Sequence, residues 1–517
     1  MTRTEHTTKR VFNTFGKLKR GKRAYAILAL CAGTAIALPA QTFTTMFRFN
    51  GTDGGNPFAG LVQATNGDFY GATVSGGTNG LGAVFKITPG GTLTTPHSFC
   101  SESGCPDGQF PETGLVQATN GDLYGTTELG GANAPANGGN GGTIFKITPG
   151  GALTTLYSFC AVSGCTDGQG PGAALVQAFN GDLYGTTVAG GAHSYGTVFK
   201  ITPDGSLTTL YSFCALTGCT DGLYPYGALV QAANGDFYGT TTDGGTNGSN
   251  GTVFKITSDG ELTTLYSFCA QSGCTDGSYP FAGLIQGADG DFYGTTELGG
   301  INLCPSYSGC GTVFKITANG ALTTLYRFCA QSGCADGKFP YAALVQATDG
   351  EFYGATQQGG NDACNPPVDS GCGTLFRVTG RGALTTLHTF CSQSGCTDGA
   401  SPQAALIQAT NGDLYGTAAE GGAADTSWGT VFRVSVGLGP FVKTLPTSGR
   451  LGEAVRILGT DLTGATCVTF NGTPAVFEVV SSSEIATKVP AGATSGKVEV
   501  VTPGGTLSSN MSFDALP

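Results

Sequence analysis

The sequence predicts an all-β fold, a seven-bladed β-propeller of four strands per blade followed by an immunoglobulin-like β-sandwich. Three observations carry the prediction. A unit of roughly 55 residues recurs along the chain, and Tyr70, Tyr124, Tyr184, Tyr238, Tyr293, Tyr353 and Tyr415 mark its seven copies. Each copy splits into four short β-rich runs bounded by Gly, Asn and Asp turn residues. No helical periodicity follows residue 40. The 87 glycines keep no three-residue period, which excludes collagen.

The chain starts with an export pattern. Lys9, Arg10, Lys17, Lys19, Arg20, Lys22 and Arg23 precede the apolar run AYAILALCAGTAIALPA at 24–40, which ends in small residues. A basic region, an apolar region and a cleavage-site region in that order mark a secretory signal. The run is also short for the ~20 residues of a membrane span. Residues 1–40 are therefore read as a signal peptide, and the chain as secreted or held in the cell envelope. Eight of the 24 Lys and Arg and one of the 35 Asp and Glu lie there. Without that segment, 16 basic and 34 acidic residues remain, a net charge of −18. Such a surface repels phosphate backbones, so nucleic-acid partners are disfavoured. A monomer with no membrane span in its mature part is expected.

The repeat array occupies 41–437. In the copy at 206–256, SLTTLYSF, GALVQA, DFYGTTT and GTVFKIT read as strands, and Asn-Gly between the second and third runs reads as a hairpin turn. With GALVQA innermost in a blade, the order outward is GALVQA, DFYGTTT, GTVFKIT, then SLTTLYSF. The seventh copy lacks its outermost run, while FTTMFRF at 43–49 is an outermost run with no copy before it. The N-terminal strand is thus expected to complete the last blade and close the ring, which hides the edges an open array would expose.

The units GLVQATNGDLYGTT…GG…GTVFKITPGG resemble the GloVer tandem repeat of bacterial secreted proteins, over about 43–437. The resemblance implies export and surface exposure and brings no established activity. Beyond VGLGPFVKTLPTSG at 436–449, the runs AVRILG, CVTFNG, AVFEVV, EIATKVP and GKVEVVT alternate apolar and polar residues. Segment 438–517 is similar to an IPT/TIG domain through Gly449, Gly452, Gly459, Asn471, Gly472, Pro490 and Phe513, among others. That resemblance implies a spacer or adhesion module.

Cysteine spacing is the most conspicuous local feature. Six pairs share the spacing C-x4-C: Cys100/Cys105, Cys160/Cys165, Cys214/Cys219, Cys269/Cys274, Cys329/Cys334 and Cys391/Cys396. Cys304/Cys310 and Cys364/Cys372 lie in lengthened loops. A zinc site needs four converging ligands, and these pairs are expected to be kept apart in different blades. With export, eight disulfides are expected, each closing a short loop for about 2 kcal/mol. Cys467 is expected to be a buried free thiol.

The loops from outermost to innermost strand, and from second to third, share one face of a propeller. They hold the cysteine pairs and most of the length variation, so this long-loop face is the candidate ligand face. The Asp of each TDG-type string (Asp53, Asp107, Asp167, Asp221, Asp276, Asp336 and Asp398) is expected either to join an acidic ring at the channel mouth or merely to form a turn. The glutamines of the inner strands, Gln63 to Gln408, are expected near the channel. No catalytic constellation, cofactor motif or metal motif stands out. His97 and His388 replace strand tyrosines, and His193 is a loop residue. Near-identity of the copies argues against the asymmetric set of groups that chemistry needs. The expectation is a non-enzymatic secreted binding or scaffold protein taking a glycan or protein, with a polysaccharide lyase or hydrolase as the alternative.

Overall fold

The computed structural model describes the chain except residues 1–40, 134–140, 301–303, 305–308, 361–371, 424–425 and 517. The signal reading of 1–40 and the glycine-rich loop centre at 134–140 therefore lie outside the described residues. Among those described there is no α-helix, and no helix is long and apolar enough to cross a membrane.

Seven antiparallel four-stranded sheets follow one another. In the third, Val176–Gln177 pairs with Leu183–Thr187, which pairs with Thr197–Ile201, which pairs with Leu207–Ser212. The inner strand is only two residues long, and the second strand is wholly buried. That burial suits the β-branched and aromatic residues of LYGTT, which pack well on a pleated surface. The Asn-Gly turn differs from a two-residue hairpin. Gly67 N–H donates to Ala64 O (2.8 Å) and Ala64 N–H to Asp68 O (2.9 Å). Gly67 alone takes positive φ (87°), while Asn66 instead holds the Tyr70 hydroxyl at 3.0 Å. The longer turn lets one glycine absorb the left-handed residue.

The ring closes as expected. Thr42–Arg48 pairs with Thr430–Ser435 and completes the seventh sheet. The core forms between blades rather than within them. Tyr184 of blade 3 stacks on Phe237 of blade 4 at 4.1 Å, and Phe213 meets Phe254 edge-on at 5.2 Å. One apolar cluster fills each interface around the ring, and the closing cluster joins Phe49, Phe69 and Phe85 to Tyr415 and Val431. A blade buries its two faces only against two neighbours, so an unclosed array would leave two apolar faces wet.

Two further devices recur around the ring. The residue before each loop proline takes positive φ: Asn56, Phe110, Gly170, Tyr224, Tyr279, Phe339 and Ser401. Its N–H donates to the preceding blade's long loop, as in Tyr224 to Tyr195 O (3.0 Å) and, at closure, Asn56 to Trp428 O (2.8 Å). For a non-glycine this conformation costs about 1–2 kcal/mol, which the inter-blade bond offsets. On the other face the inner-strand glutamines clasp adjacent blades. Gln177 Oε1 accepts from Thr119 N–H at 2.9 Å and its Nε2 donates to Gly181 O at 3.1 Å. Gln63, Gln117, Gln177, Gln231, Gln346 and Gln408 are structural clasps.

The C-terminal part is a sandwich of two four-stranded sheets around Val455, Ile457, Val468, Phe470, Ile485 and Val498. It rests on the short-turn face of the propeller. Ser483 Oγ donates to Thr65 O (2.9 Å), Phe441 N–H to Thr410 O (2.9 Å), and Lys443 Nζ to Gln408 O (2.6 Å). Burial at this junction pushes Lys443 down to about 8. Cys467 has a free thiol but is half-buried, a correction to the buried position expected. Strand Cys467–Phe470 alternates, and Val468 and Phe470 take the inward positions.

Candidate functional site

Each C-x4-C pair forms a bridge inside one loop: Cys100–Cys105, Cys160–Cys165, Cys214–Cys219, Cys269–Cys274, Cys329–Cys334 and Cys391–Cys396. Both members of each pair have positive φ, for example 60° at Cys160 and 52° at Cys165. The bridge pins two left-handed residues around a single turn in which Cys165 N–H donates to Val162 O (2.9 Å). Cys304 bonds Cys310. Cys372 is disulfide-bonded, while Cys364 lies outside the described residues.

The pairs are not all kept apart. The sulfurs of Cys304, Cys310 and Cys329 lie within 4.8 Å of one another, as do those of Cys372, Cys391 and Cys396. A lengthened loop folds back onto its own blade's stapled loop, which spacing alone did not reveal. These sulfurs are held in bridges, and only thiolates ligate metal. Thiol titration of residues 41–517 in denaturant is expected to count one free thiol, Cys467. A count of three or more would mean that a bridge is open in solution.

The aspartates do not ring the channel. Asp276 accepts from Tyr266 Oη (2.7 Å), Ala270 N–H (2.9 Å) and Gln271 N–H (3.2 Å). Asp167, Asp221 and Asp336 repeat the pattern with Tyr157, Tyr211 and Tyr326. Asp221, Asp276, Asp336 and Asp398 are fully buried. In Asp107 and Asp398 the partner is a histidine instead, His97 at 3.0 Å and His388 at 3.1 Å. Asp53 is half-buried and accepts from Asn50 N–H (2.9 Å). The tyrosines and histidines belong to outermost strands, so these carboxylates sit at the rim and organise their own loops. The acidic-ring reading is corrected accordingly. His193 is exposed.

The central mouth on the long-loop face is lined by other residues. Three consecutive residues from each of the seven loops surround a cavity of about 130 Å³. The lower members are small, such as Ala59, Gly114, Ala173, Gly227 and Ala404. The uppermost, just after each loop proline, are of five different types: Phe58, Glu112, Gly172, Tyr226, Phe281, Tyr341 and Gln403. Tyr226 stacks on Phe281 (centroids 4.5 Å), and Phe281 meets Tyr341 (4.1 Å). This arc spans blades 4 to 6.

Carboxyl groups stand beside the arc. Glu112 hydrogen-bonds Glu128, the residue that follows the second strand of the same blade. Burial, then the neighbouring negative charge, pushes Glu112 up to about 7. Burial also raises Glu128 and, in blade 5, Glu297. Tyr226 is raised by burial and then by Glu128 and Glu112. Tyr341 is raised by burial and then by Glu297, Tyr226 and Glu112. Charges from blades 2 and 5 thus act on the tyrosines of blades 4 and 6 around the mouth.

Sequence reasoning missed this set because it followed the residues that recur. The available signal was the opposite: within nearly identical copies, one column after the proline changes from Phe to Glu, Gly, Tyr and Gln.

No curated protein matches the sequence. Among solved structures, a fungal alcohol oxidase in complex with copper aligns at 11% identity and TM-score 0.48, covering 92% of this chain and 99% of that one. The extracellular domain of a putative hybrid two-component system from B. thetaiotaomicron aligns at 12% identity and TM-score 0.46, over 92% and 59%. An ulvan lyase aligns at 12% and 0.46, over 74% and 94%. Such likeness carries no functional argument. The model of the Gloeobacter/Verrucomicrobia repeat matches 31–220, 136–365 and 306–456, and that of the IPT/TIG domain matches 440–515. The chain belongs to the Gloeobacter/Verrucomicrobia repeat family and ends in an IPT/TIG domain.

Proposed function

We propose that this chain is an exported, non-catalytic glycan-binding protein whose ligand sits on the central mouth of the long-loop face. The observation that carries the reading is the half-buried arc Tyr226–Phe281–Tyr341, with carboxyl groups beside it. Aromatic faces bury the apolar face of a sugar ring, and carboxylates accept from its hydroxyls. The sandwich lies on the opposite face, leaving the mouth uncovered by it. The disulfide-rich loops suit an extracellular setting.

The test is calorimetric titration with a panel of soluble polysaccharides. Tyr226→Ala and Tyr341→Ala are each expected to weaken binding about tenfold, the scale of one lost aromatic contact. Unchanged affinity in both variants would overturn the mouth as the site. One observation favours a second reading, a lyase or hydrolase: Glu112 and Glu128 share a hydrogen bond, and Glu112 stands near 7, which suits acid–base work. Release of new sugar ends on incubation with a bound polysaccharide, lost in Glu112→Gln, would replace the non-catalytic reading.

A further inference from the structure

The mouth is one-sided in charge. Glu112 and the aromatic arc line it, but no Lys, Arg or His does. Among the described residues, no ion pair reaches Glu112, Glu128 or Glu297, although Asp68, Asp236 and Asp289 in the inner-to-second-strand turns each have a lysine. Half-buried Glu112 at the mouth, and Glu128 and Glu297 near it, therefore have no cationic partner among the described residues.

Gly172 sets the local geometry. It is the one residue of its column without a side chain, and a Cβ there would meet Val188 Cγ2 at 2.7 Å and Tyr226 Cδ1 at 3.5 Å. With no side chain in blade 3, the Tyr226 ring lies across that blade towards Glu112 and Glu128, whose charges act on its hydroxyl. An aromatic face and a carboxyl pair are thereby brought together from blades that are not neighbours. The backbone under the ring is fixed by two bonds to one carbonyl: Thr242 N–H and Tyr226 N–H both donate to Tyr224 O at 3.1 Å. Thr242 is 7% exposed, and its Oγ1 has no hydrogen-bond partner. An aromatic face and carboxyls without a protein cation together suit a compact cation that also donates hydrogen bonds. A metal ion is less suited to an arc of ring faces, whereas an ammonium is drawn both to a carboxylate and to a π-face.

We propose that the ligand taken at the mouth carries a primary ammonium, as in the amino sugar of a de-N-acetylated glycan, held between the Glu112–Glu128 carboxyls and the Tyr226 ring. The claim rests on the glycan-binding reading above and narrows it to one chemical class. The net negative charge of the chain would steer such a polycation to the surface.

The probes are the hexamer of glucosamine and the hexamer of N-acetylglucosamine, titrated into the exported chain near neutral pH. The sugar hexamers differ chiefly by the acetyl groups that remove the positive charge. The glucosamine hexamer is expected to bind at least about tenfold tighter, with affinity falling as salt rises. Glu112→Gln, a near-isosteric change, is expected to abolish that preference, with circular dichroism and melting unchanged. Equal affinity for the two hexamers, or preference for the acetylated one, overturns the ammonium proposal and leaves glycan binding standing. Binding of a neutral polysaccharide with neither hexamer bound does the same. Failure of every glycan overturns both readings.

Discussion

Removing residues 41–49 is expected to lower the melting temperature by more than about 10 °C and to expose the lone tryptophan, Trp428. The strand Thr42–Arg48 supplies the fourth strand of the last blade. Phe49 is buried in the closing cluster, and Phe43 stacks on His388 at 3.7 Å. Losing one buried phenylalanine alone costs about 3–5 kcal/mol, and here the edge of Thr430–Ser435 is also bared. A shift of roughly 2–4 °C per kcal/mol in a large domain sets the scale.

The tryptophan offers a local readout. The closing loop lacks the cysteine pair of the other six. Instead Trp428 lies against Gly51 and Gly55, where an added Cβ would collide with its ring, and its carbonyl accepts from Asn56. Red-shifted emission together with the lowered melting point is expected in the truncated chain. An unchanged melting point and spectrum would mean that the N-terminal strand does not hold the ring closed.

Asp276→Ala is expected to cost about 3 kcal/mol in denaturant unfolding, well above Asp53→Ala. Asp276 is fully buried and accepts three hydrogen bonds. Removing it strands the Tyr266 hydroxyl and two amides, each left without its acceptor at a cost of about 1–3 kcal/mol if water does not replace it. Asp53 is only half-buried and takes one of these bonds, from Asn50. Equal losses in the two variants would contradict the loop-organising role.

The same pairs give two pH edges. Burial, then the bond to Asp276, raises Tyr266 well above its usual 10, and Tyr157, Tyr211 and Tyr326 behave alike. A raised folded-state value means that the stabilisation is full below about pH 10 and is lost as pH rises through the folded value. For Asp398 burial acts upward, but the bonds from His388 and Ser392 outweigh it and the net value is lowered. Its contribution is therefore present above the unfolded value near about 4 and is lost as pH falls through the lower folded value. Unfolding free energy in Asp276→Ala is expected to decline less above pH 10 than in the parent chain.

Much of the fold was legible because the repeat makes each inference seven times over. Blade number, strand order and closure by 43–49 followed from counting runs, since a missing outermost strand at one end matched a surplus one at the other. The local bridges followed from spacing and from the expectation of export. The sandwich followed from alternation and turn residues between 438 and 517.

Legibility failed where a residue's role depends on neighbours distant in sequence. The aspartates recur, and recurrence suggested a ring. For six of the seven the partner turned out to be an outermost-strand tyrosine or histidine ten residues earlier, which holds it at the rim. Nothing in the spacing says which end of a loop lies near the axis. The fold-back of Cys304–Cys310 onto Cys329 was hidden for the same reason.

By itself the sequence determined the architecture, because strand periodicity, turn chemistry and repeat length are local properties that a closed ring satisfies in one way. Only the tertiary structure decided the site. Glu112 with Glu128, Tyr226, Phe281 and Tyr341 are scattered over more than two hundred residues. Ring closure brings their loop tips to one axis, where burial and mutual charge give them properties that none has alone.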